Sequence, residues 1–584
     1  MNKLYGIISK KNINDLTINK ELFDNQNKYQ SLNCLLLTSE NKPFIKYDCQ
    51  NKYIIIFNGE LLNKDALKCK LRTLGYQFKT DLDEEVIINA YIYYKENCFN
   101  YFQGHYSIII YTSNKMIIAR DKLGIKPLFY STNEDYFVTS NKISHLLDSK
   151  IIKPIVDDDG LRELFTLSPC YTPGRTPFRD IKMVKPGEYI SYDDGLISKH
   201  TYYKLPIYVY NKSYNEAQNE LKELVNKSIN KLIKDKNDYG SLLSGGIDSS
   251  IISLLVNENI KIDTYFLEYN NNDKYFESNM FQRSLDRKYG DLMARYLNTN
   301  HKILNISEKD LFKYLIDSLK ARDLPGMGDI DSSLYWLLSN IKNEYIFTGE
   351  CSDELFGGYP WYYRDKDKSL LPWLRNIDFR QNLLKDEYKY LNIDKYLKNS
   401  YNELIKDYEE VNIDNSENKR WRKLTYINIY SFMQQLLYRQ EMMANANNIK
   451  ALSPFIDIEI VEFAYNIPYQ YKYQNNTEKA ILKDAYKNDL PKEITNRIKN
   501  PYPKTFSPIY EEMVNNKINE LLNDPKSIIN MFFKKEMILE LINDKNKKIP
   551  YYGQLMTNTQ FLAYLIQFEE WVKIYNIEFI INKR

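Results

Sequence analysis

The chain is 584 residues long, enough for two or more domains with cores of their own. Its 80 basic and 77 acidic residues leave a net charge of +3, which gives no electrostatic case for a nucleic-acid partner or an anionic membrane surface. Six cysteines (Cys34, Cys49, Cys69, Cys98, Cys170, Cys351) show no CxxC spacing and four histidines are dispersed; this speaks against a disulfide framework or a zinc site and fits a cytoplasmic protein.

The opening segment, MNKLYGIISKKN, has no apolar stretch of signal-peptide length, so no leader is expected. From there the first third reads as β-rich. Short apolar or alternating runs (YGIIS, CLLLT, YIIIFNGE, YSIIIYT, KMIIARD, PLFYST, YFVTS) are separated by Asn, Gly and Asp turns, and one helical stretch, EEVIINAYIYYKEN, interrupts them. Stacked antiparallel sheets are the expected result. Runs such as IIIF at 54–57 are strand-sized and far short of a membrane span. A Pro/Gly-containing passage, SPCYTPGRTPFRDIKMVKPGEY, then leads to a last strand near Tyr189–Tyr192, and the pattern changes near residue 205. Spacing from Tyr214 to Lys234 is helical, strand–helix alternation follows, and the remainder is mainly helical with Pro-bounded loops.

Residues Tyr239–Ser250, YGSLLSGGIDSS, run from an apolar strand through a glycine turn into a helix. Ser244, Gly245 and Gly246 can turn N–H groups towards an anion, Ser249 and Ser250 can add hydroxyls, and the helix presents its positive N-terminus. Asp248 is unwelcome beside bare phosphate, so a bridging Mg²⁺ is its natural explanation. The GxxxxGK[ST] pattern is absent, so this is not a Walker A loop. The segment resembles the PP-loop of N-type ATP pyrophosphatases, which cleave ATP to AMP and pyrophosphate. A strand, two glycines and a helix can also be a tight structural turn; the added Ser, Asp, Ser and Ser in register favour the phosphate reading.

Taken whole, the chain resembles the glutamine-dependent asparagine synthetases. In the first part, Asn58-Gly59-Glu60, Asp83 in TDLDEEVI, and ARDKLGIKPLFY carry the resemblance. In the second it rests on SGGIDSS, DLPGMGDIDSS, TGECSDELFGGYPW, PFID, NRIKNPYPKT (496–505) and KIPYYGQLM (548–556). The resemblance implies an α/β multidomain protein. Residues 1–205 would be a degenerate glutaminase-like (class II amidotransferase) domain with the αββα sandwich of N-terminal-nucleophile hydrolases. Residues 206–584 would be an α/β ATP-pyrophosphatase domain of the adenine nucleotide α hydrolase type. It further implies that Asp353 joins Asp248 around Mg²⁺, that Gly349 lets the nucleotide approach, and that Leu242 and Leu267 contact ATP. Lys499 and Lys479 would neutralise phosphate, with Lys499 acting in catalysis, and Glu350 would be the base that deprotonates an incoming amine. Each lysine alone could equally be a surface residue, and Glu350 a helix-start carboxylate.

Two family features are missing. The family begins Met-Cys-Gly-Ile, and its cysteine attacks glutamine with its own α-amine as base. Here Tyr5-Gly6-Ile7 stands in that register behind four further residues, and a phenol has no useful nucleophile near neutral pH. No Arg lies between Ile18 and Asn58 to clamp glutamine, so Asn58 and Gly59 read better as a turn ending their strand than as an oxyanion hole. On the acceptor side, where the family has LE-x-R-x-PF, this chain has Lys450 for the Glu and Leu452 for the Arg. Losing a bidentate guanidinium makes aspartate a poor fit, unless Arg439 or Lys450 substitutes; the Met/Ala/Asn-rich run at 442–447 can equally be a plain helix face.

The expected function is an ATP-dependent amide ligase without glutaminase activity. It would activate a small-molecule or peptide carboxylate as an acyl-adenylate that ammonia or an amine then attacks. Glu350 stands where β-lactam synthetases have a tyrosine, which favours the asparagine branch. Ammonia-dependent asparagine formation, an intramolecular cyclase like the β-lactam synthetases or lasso-peptide cyclases, and an ATP-binding scaffold without chemistry are the alternatives. Pairing as a homodimer is left open.

Overall fold

The computed structural model describes residues 3–16, 18–19, 26–39, 41–49, 51–233, 238–278, 282–364, 370–411, 414–544 and 550–582. Lys234, at the end of the expected helix, and Lys548 and Ile549, at the start of KIPYYGQLM, lie outside the described residues, as do Met1 and Asn2 of the opening segment. The chain divides into two compact units. Residues up to Gly160, with Pro173–Leu205 and Tyr575–Asn582, form the first; Leu161–Thr172 and Pro206–Ile574 form the second. Two segments thus cross the expected division at 205. Strand Ile155–Asp157 pairs in parallel with Glu578–Ile580, a partnership too distant for any local pattern to reveal. Leu161–Thr172 is held in the second unit by Arg380, which donates to the Thr166 carbonyl at 3.1 Å.

The strands of the first unit are β1 (Leu4–Ser9), β2 (Asn27–Gln30), β3 (Cys34–Thr38), β4 (Phe44–Asp48), β5 (Asn51–Leu61), β6 (Gly104–Thr112) and β7 (Lys115–Arg120). They continue with β8 (Phe129–Thr132), β9 (Tyr136–Ser140), β10 (Ile155–Asp157), β11 (Lys182–Met183), β12 (Glu188–Asp193) and β13 (Leu196–Thr201). Two six-stranded antiparallel sheets result, ordered β11-β8-β9-β1-β3-β2 and β13-β12-β7-β6-β5-β4. The unbroken apolar runs follow from burial on both faces. In β5, Ile54 and Ile56 point between the sheets onto Leu4, Ile8 and Leu36, while Tyr53, Ile55 and Phe57 point outward onto the helix Asp83–Tyr94. That helix is apolar almost all round because it is buried. A second helix, Lys64–Thr73, escapes the sequence reading because only Leu67 and Leu71 are buried in it. With the helix Ile143–Asp148 packed on β9, the unit is an αββα sandwich.

The second unit is built on five parallel strands: β14 (Tyr239–Leu242), β15 (Asp263–Tyr269), β16 (Asn300–Ile306), β17 (Tyr345–Phe347) and β18 (Lys450–Leu452). Their order is β16-β15-β14-β17-β18. Crossover helices Ile247–Asn259 and Arg287–Leu297 link β14 to β15 and β15 to β16, and the winding reverses on the other side of β14. A doubly wound sheet opens a crevice at such a reversal, outside the carboxyl ends of the strands. Ser244 follows β14 and Gly349 follows β17, so the two glycine-containing motifs meet there. The rest of the unit is mainly helical.

Candidate active site

The crevice is a cavity lined by Leu242, Ser244, Gly246, Asp248, Ser249 and Leu267, and across from them by Gly349, Glu350, Asp353, Lys479 and Lys499. Gly245 sits just behind it with φ +69, and an added Cβ would lie 2.3 Å from the Tyr289 carbonyl carbon, so only glycine fits. Gly246 caps the helix Ile247–Asn259. The loop's hydroxyls face each other: Ser244 Oγ and Ser249 Oγ are 3.1 Å apart, and Ser249 Oγ accepts from Ser244 N–H at 3.2 Å. Both can swing to an anion at that helix N-terminus. Ser250 is fully buried and does not line the cavity. Gly349 lines the cavity, yet what its missing side chain makes room for is the backbone of Asp248 and Ser249, 2.8–2.9 Å from a built Cβ.

Two carboxylates and two ammonium groups form the centre of the site. Lys479 Nζ lies 2.6 Å from Asp248 Oδ2 and 2.5 Å from Asp353 Oδ1, and Lys499 Nζ lies 2.5 Å from Asp353 Oδ2. Ser352 Oγ donates to the other oxygen of Asp248 at 2.5 Å. Burial pulls the Lys479 ammonium down in pKa, but Asp248 and Asp353 outweigh it and leave it raised. Burial pushes Asp353 up, but Lys479 and Lys499 outweigh it and hold the carboxyl below its usual range. Lys479 and Asp353 are therefore both charged at neutral pH. Lys479 follows the hairpin of β19 (Tyr473–Gln474) and β20 (Thr477–Glu478) in a left-handed conformation, φ +53, that aims it inward. Lys499 is positioned by Glu478, whose carboxylate accepts the Lys499 N–H at 2.9 Å.

Glu350, three residues past the end of β17, meets Arg439 Nη2 at 3.3 Å. Lys450 is exposed and pairs with Glu344 at 3.6 Å, so of the two candidate substitute cations only Arg439 faces the cavity. Leu452 is buried in β18, its carbonyl accepting the Thr348 N–H at 2.8 Å. The Met/Ala/Asn-rich run closes the helix Met433–Ala446: Met442, Met443 and Ala444 are buried, as a core face would be, while Asn445 and Ala446 are half-buried and Asn447 caps the helix end.

Several residues of the site were not singled out from sequence. Glu354, one residue after Asp353, is buried; burial, then the charge of Asp353, pushes its carboxyl up to about 8, and Tyr359 Oη donates to it at 2.5 Å. Arg497 ties the loop down, donating to the Ser244 carbonyl at 3.2 Å, pairing with Asp286 and stacking 3.9 Å from the Tyr289 ring centroid. Gly358 lies so close to Asp353 that an added Cβ would sit 1.9 Å from Oδ1. The signals were present in SDELFGG and NRIK, as a glycine pair after an acid and an arginine two residues before Lys499.

In the first unit, Tyr5 lies inside β1, paired with Leu37 and Ser140, with its phenol fully buried and its pKa pushed up by that burial. Asn58 and Gly59 do not form a turn. They continue β5, opposite Ser107 and Tyr106, and the strand ends only at Leu61. Gly59 has φ +135, and a side chain there would strike the His105 carbonyl oxygen at 1.9 Å. Asp83 Oδ2 accepts the Leu61 N–H at 3.0 Å, holding the strand end to the next helix. Among the described residues no group of three His, Cys, Asp or Glu side chains is placed to hold a metal, and no helix is long and apolar enough to cross a membrane.

The model of the asparagine synthase family matches residues 220–573, more than half of the chain. The chain belongs to that family. The glutamine amidotransferase domain model matches residues 32–203. Among curated relatives, "Asparagine synthetase [glutamine-hydrolyzing] 3" of Bacillus subtilis (strain 168) is 32% identical over 539 residues, covering 90% of this chain and 88% of the relative. "Asparagine synthetase [glutamine-hydrolyzing] 1" of the same organism is 26% identical, covering 84% and 82%. A solved structure of glutamine phosphoribosylpyrophosphate amidotransferase from B. subtilis aligns at 11% identity and a TM-score of 0.29, covering 53% of this chain and 92% of that one. Membership of the asparagine synthase family makes this an ATP-dependent ligase of the asparagine synthetase type.

Proposed function

We propose that this ligase activates a carboxylic acid by adenylation and passes the acyl group to ammonia or another amine, without drawing on glutamine. The observation that carries the reading is the convergence of Asp248, Asp353, Lys479 and Lys499 above the SGGIDSS loop, in the crevice of a doubly wound sheet. A carboxylate oxygen of the acid attacks the α-phosphorus of ATP, and the bond to the β-phosphate breaks to release pyrophosphate. The amine nitrogen then attacks the acyl carbon, and AMP leaves with the former carboxylate oxygen. Lys479 and Lys499 supply positive charge where the pyrophosphate charge develops. Glu350 takes the proton released by the amine.

Two carboxylates from different segments aim at one cationic point, now filled by Lys479 Nζ, and a Mg²⁺ ion fits that donor set if phosphate oxygens and water complete its shell. Asp248 and Asp353 would hold it; when bound, such an ion neutralises charge on the leaving group. Tyr5 supports the absence of glutaminase chemistry, since a buried phenol of raised pKa offers neither thiol nor free amine. The acid is a small molecule or peptide carboxylate.

ATP–pyrophosphate exchange across a panel of acids tests the reading. Exchange that depends on an added acid is expected, and Asp248→Ala is expected to abolish it. ATP binding with no exchange for any acid would replace the ligase with an ATP-binding scaffold.

A further inference from the structure

Arg497 stands at the junction of the SGGIDSS loop and the segment that carries Lys499. Its side chain is 5% exposed and both terminal nitrogens are occupied: Nη1 donates to the Ser244 carbonyl at 3.2 Å, and Nη2 pairs with Asp286. Asp286 is held in turn by Asn500 Nδ2 at 2.9 Å. The backbone of the arginine is fixed as well, since Lys483 Nζ donates to the Arg497 carbonyl and to Glu478, both at 3.0 Å. Tyr289 backs the assembly, with its ring centroid 3.9 Å from the guanidinium and its own backbone packed against Gly245.

A trans peptide is planar, so the Ser244 carbonyl and the Gly245 N–H point in opposite directions. With the carbonyl drawn to Arg497, the N–H is turned away from it, and that N–H has no hydrogen-bond partner among the described residues. The loop alone does not impose this orientation. Gly245, at φ +69, accepts φ of either sign, so the 244–245 peptide can rotate and exchange its N–H for its carbonyl. An N–H attracts a phosphate seated on the loop, whereas a carbonyl oxygen repels it.

We infer that Arg497 is a positioning residue that locks the Ser244–Gly245 peptide, so that the loop offers the β- and γ-phosphates of ATP an N–H and not a carbonyl, an assignment that rests on the adenylation reading above. Arg497 touches no reacting atom. It acts through the loop, and Asp286 acts through Arg497. One short segment therefore supplies Lys499 to the phosphates and also fixes a donor of the loop that receives them.

Affinities of the full chain for ATP and for AMP, measured by calorimetry with Mg²⁺ and no acid, provide the test. Asp286→Asn/Arg497→Gln removes both members of the buried pair and leaves no lone charge behind. Wild type is expected to bind ATP more tightly than AMP. The double variant is expected to lose about 10- to 100-fold in affinity for ATP, the worth of one hydrogen bond to a charged group, and to keep AMP within about threefold. Arg497→Lys, which keeps a donor for the Ser244 carbonyl and a charge for Asp286, is expected to recover part of the loss. Equal loss for both nucleotides would assign the pair to general packing of the crevice and overturn the inference, as would an unchanged preference for ATP. Wild type that binds AMP as tightly as ATP would overturn the phosphate reading of the loop, and this inference with it. Should the double variant not fold, a crystal structure of wild type with α,β-methylene-ATP decides. The Ser244 carbonyl on Arg497 and the Gly245 N–H on a phosphate oxygen are expected; Arg497 itself on a phosphate, or the Ser244 carbonyl turned from it, would contradict the lock.

Discussion

Gly358→Ala adds one methyl group to the centre of the site and changes no charge. The backbone of Gly358 is outside the left-handed range, so alanine is conformationally acceptable and space is the only obstacle. The new Cβ would lie 1.9 Å from Asp353 Oδ1 and 2.4 Å from Lys479 Cε, where real contacts essentially never fall below 3.0 Å. The carboxylate must therefore retreat by at least 1.1 Å, the difference between 3.0 and 1.9, or the lysine and the glycine backbone must give way together. Overpacking of this kind costs about 1–3 kcal/mol of stability, which a unit of this size tolerates. Misplacing a catalytic group by about 1 Å costs about 100-fold in rate. Circular dichroism should therefore report a folded Gly358→Ala protein, while acid-dependent ATP–pyrophosphate exchange falls about 100-fold. Exchange within about threefold of wild type would show that the spacing of Asp353 and Lys479 does not matter to the chemistry.

Further outcomes follow from the same geometry. Glu354 has its carboxyl raised from 4.5 to about 8, so the folded protein holds a proton that the unfolded chain gives up. The stability it contributes is complete below about 4.5 and is lost as pH rises through about 8. Glu354→Gln should therefore flatten the fall in stability between those limits and gain on the order of 3 kcal/mol at pH 7, measured by urea denaturation; an unchanged slope refutes the assignment. Lys499→Met is expected to lower exchange by about 10²–10³-fold with the fold intact, and near-normal exchange would remove Lys499 from the mechanism. Incubation with glutamine should release no glutamate from wild type or from Tyr5→Cys, whose backbone nitrogen stays inside β1; glutamate release by wild type would overturn the reading of Tyr5.

Stacked antiparallel sheets in the first part and strand–helix alternation in the second were legible, because each depends on patterns within a few residues; the αββα layering was implied by the resemblance, and the order of the parallel sheet was not legible. The runs YIIIF and YSIIIYT announce strands buried on both faces, and YGSLLSGGIDSS carries its strand, turn and helix in one segment. What was not legible depends on distance in sequence. Nothing local in Ile155–Asp157 points to Glu578–Ile580, and nothing in the sparse apolar pattern of Lys64–Thr73 marks a helix that buries two residues. Within the site, Asp248 and Asp353 were read together and Lys479 and Lys499 were named as phosphate partners, but the ion pairs that join them were not legible, the longest linking residues 231 positions apart. The buried protonated Glu354 and the loop anchor Arg497 were hidden for the opposite reason, since each stands beside a residue with a more obvious part. Asn58 and Gly59 show how a plausible turn can be a strand: Gly59 answers to the carbonyl of His105 across the ladder, not to a bend in its own chain.

Adenylation of a carboxylate sends one of its oxygens out with AMP, and an acid labelled with ¹⁸O in its carboxyl group, supplied with ATP, an amine and the full chain, reveals whether it does. Mass spectrometry of the nucleotide product is expected to find one ¹⁸O atom in AMP and none in pyrophosphate. Label in inorganic phosphate, with ADP as the nucleotide product, would contradict it.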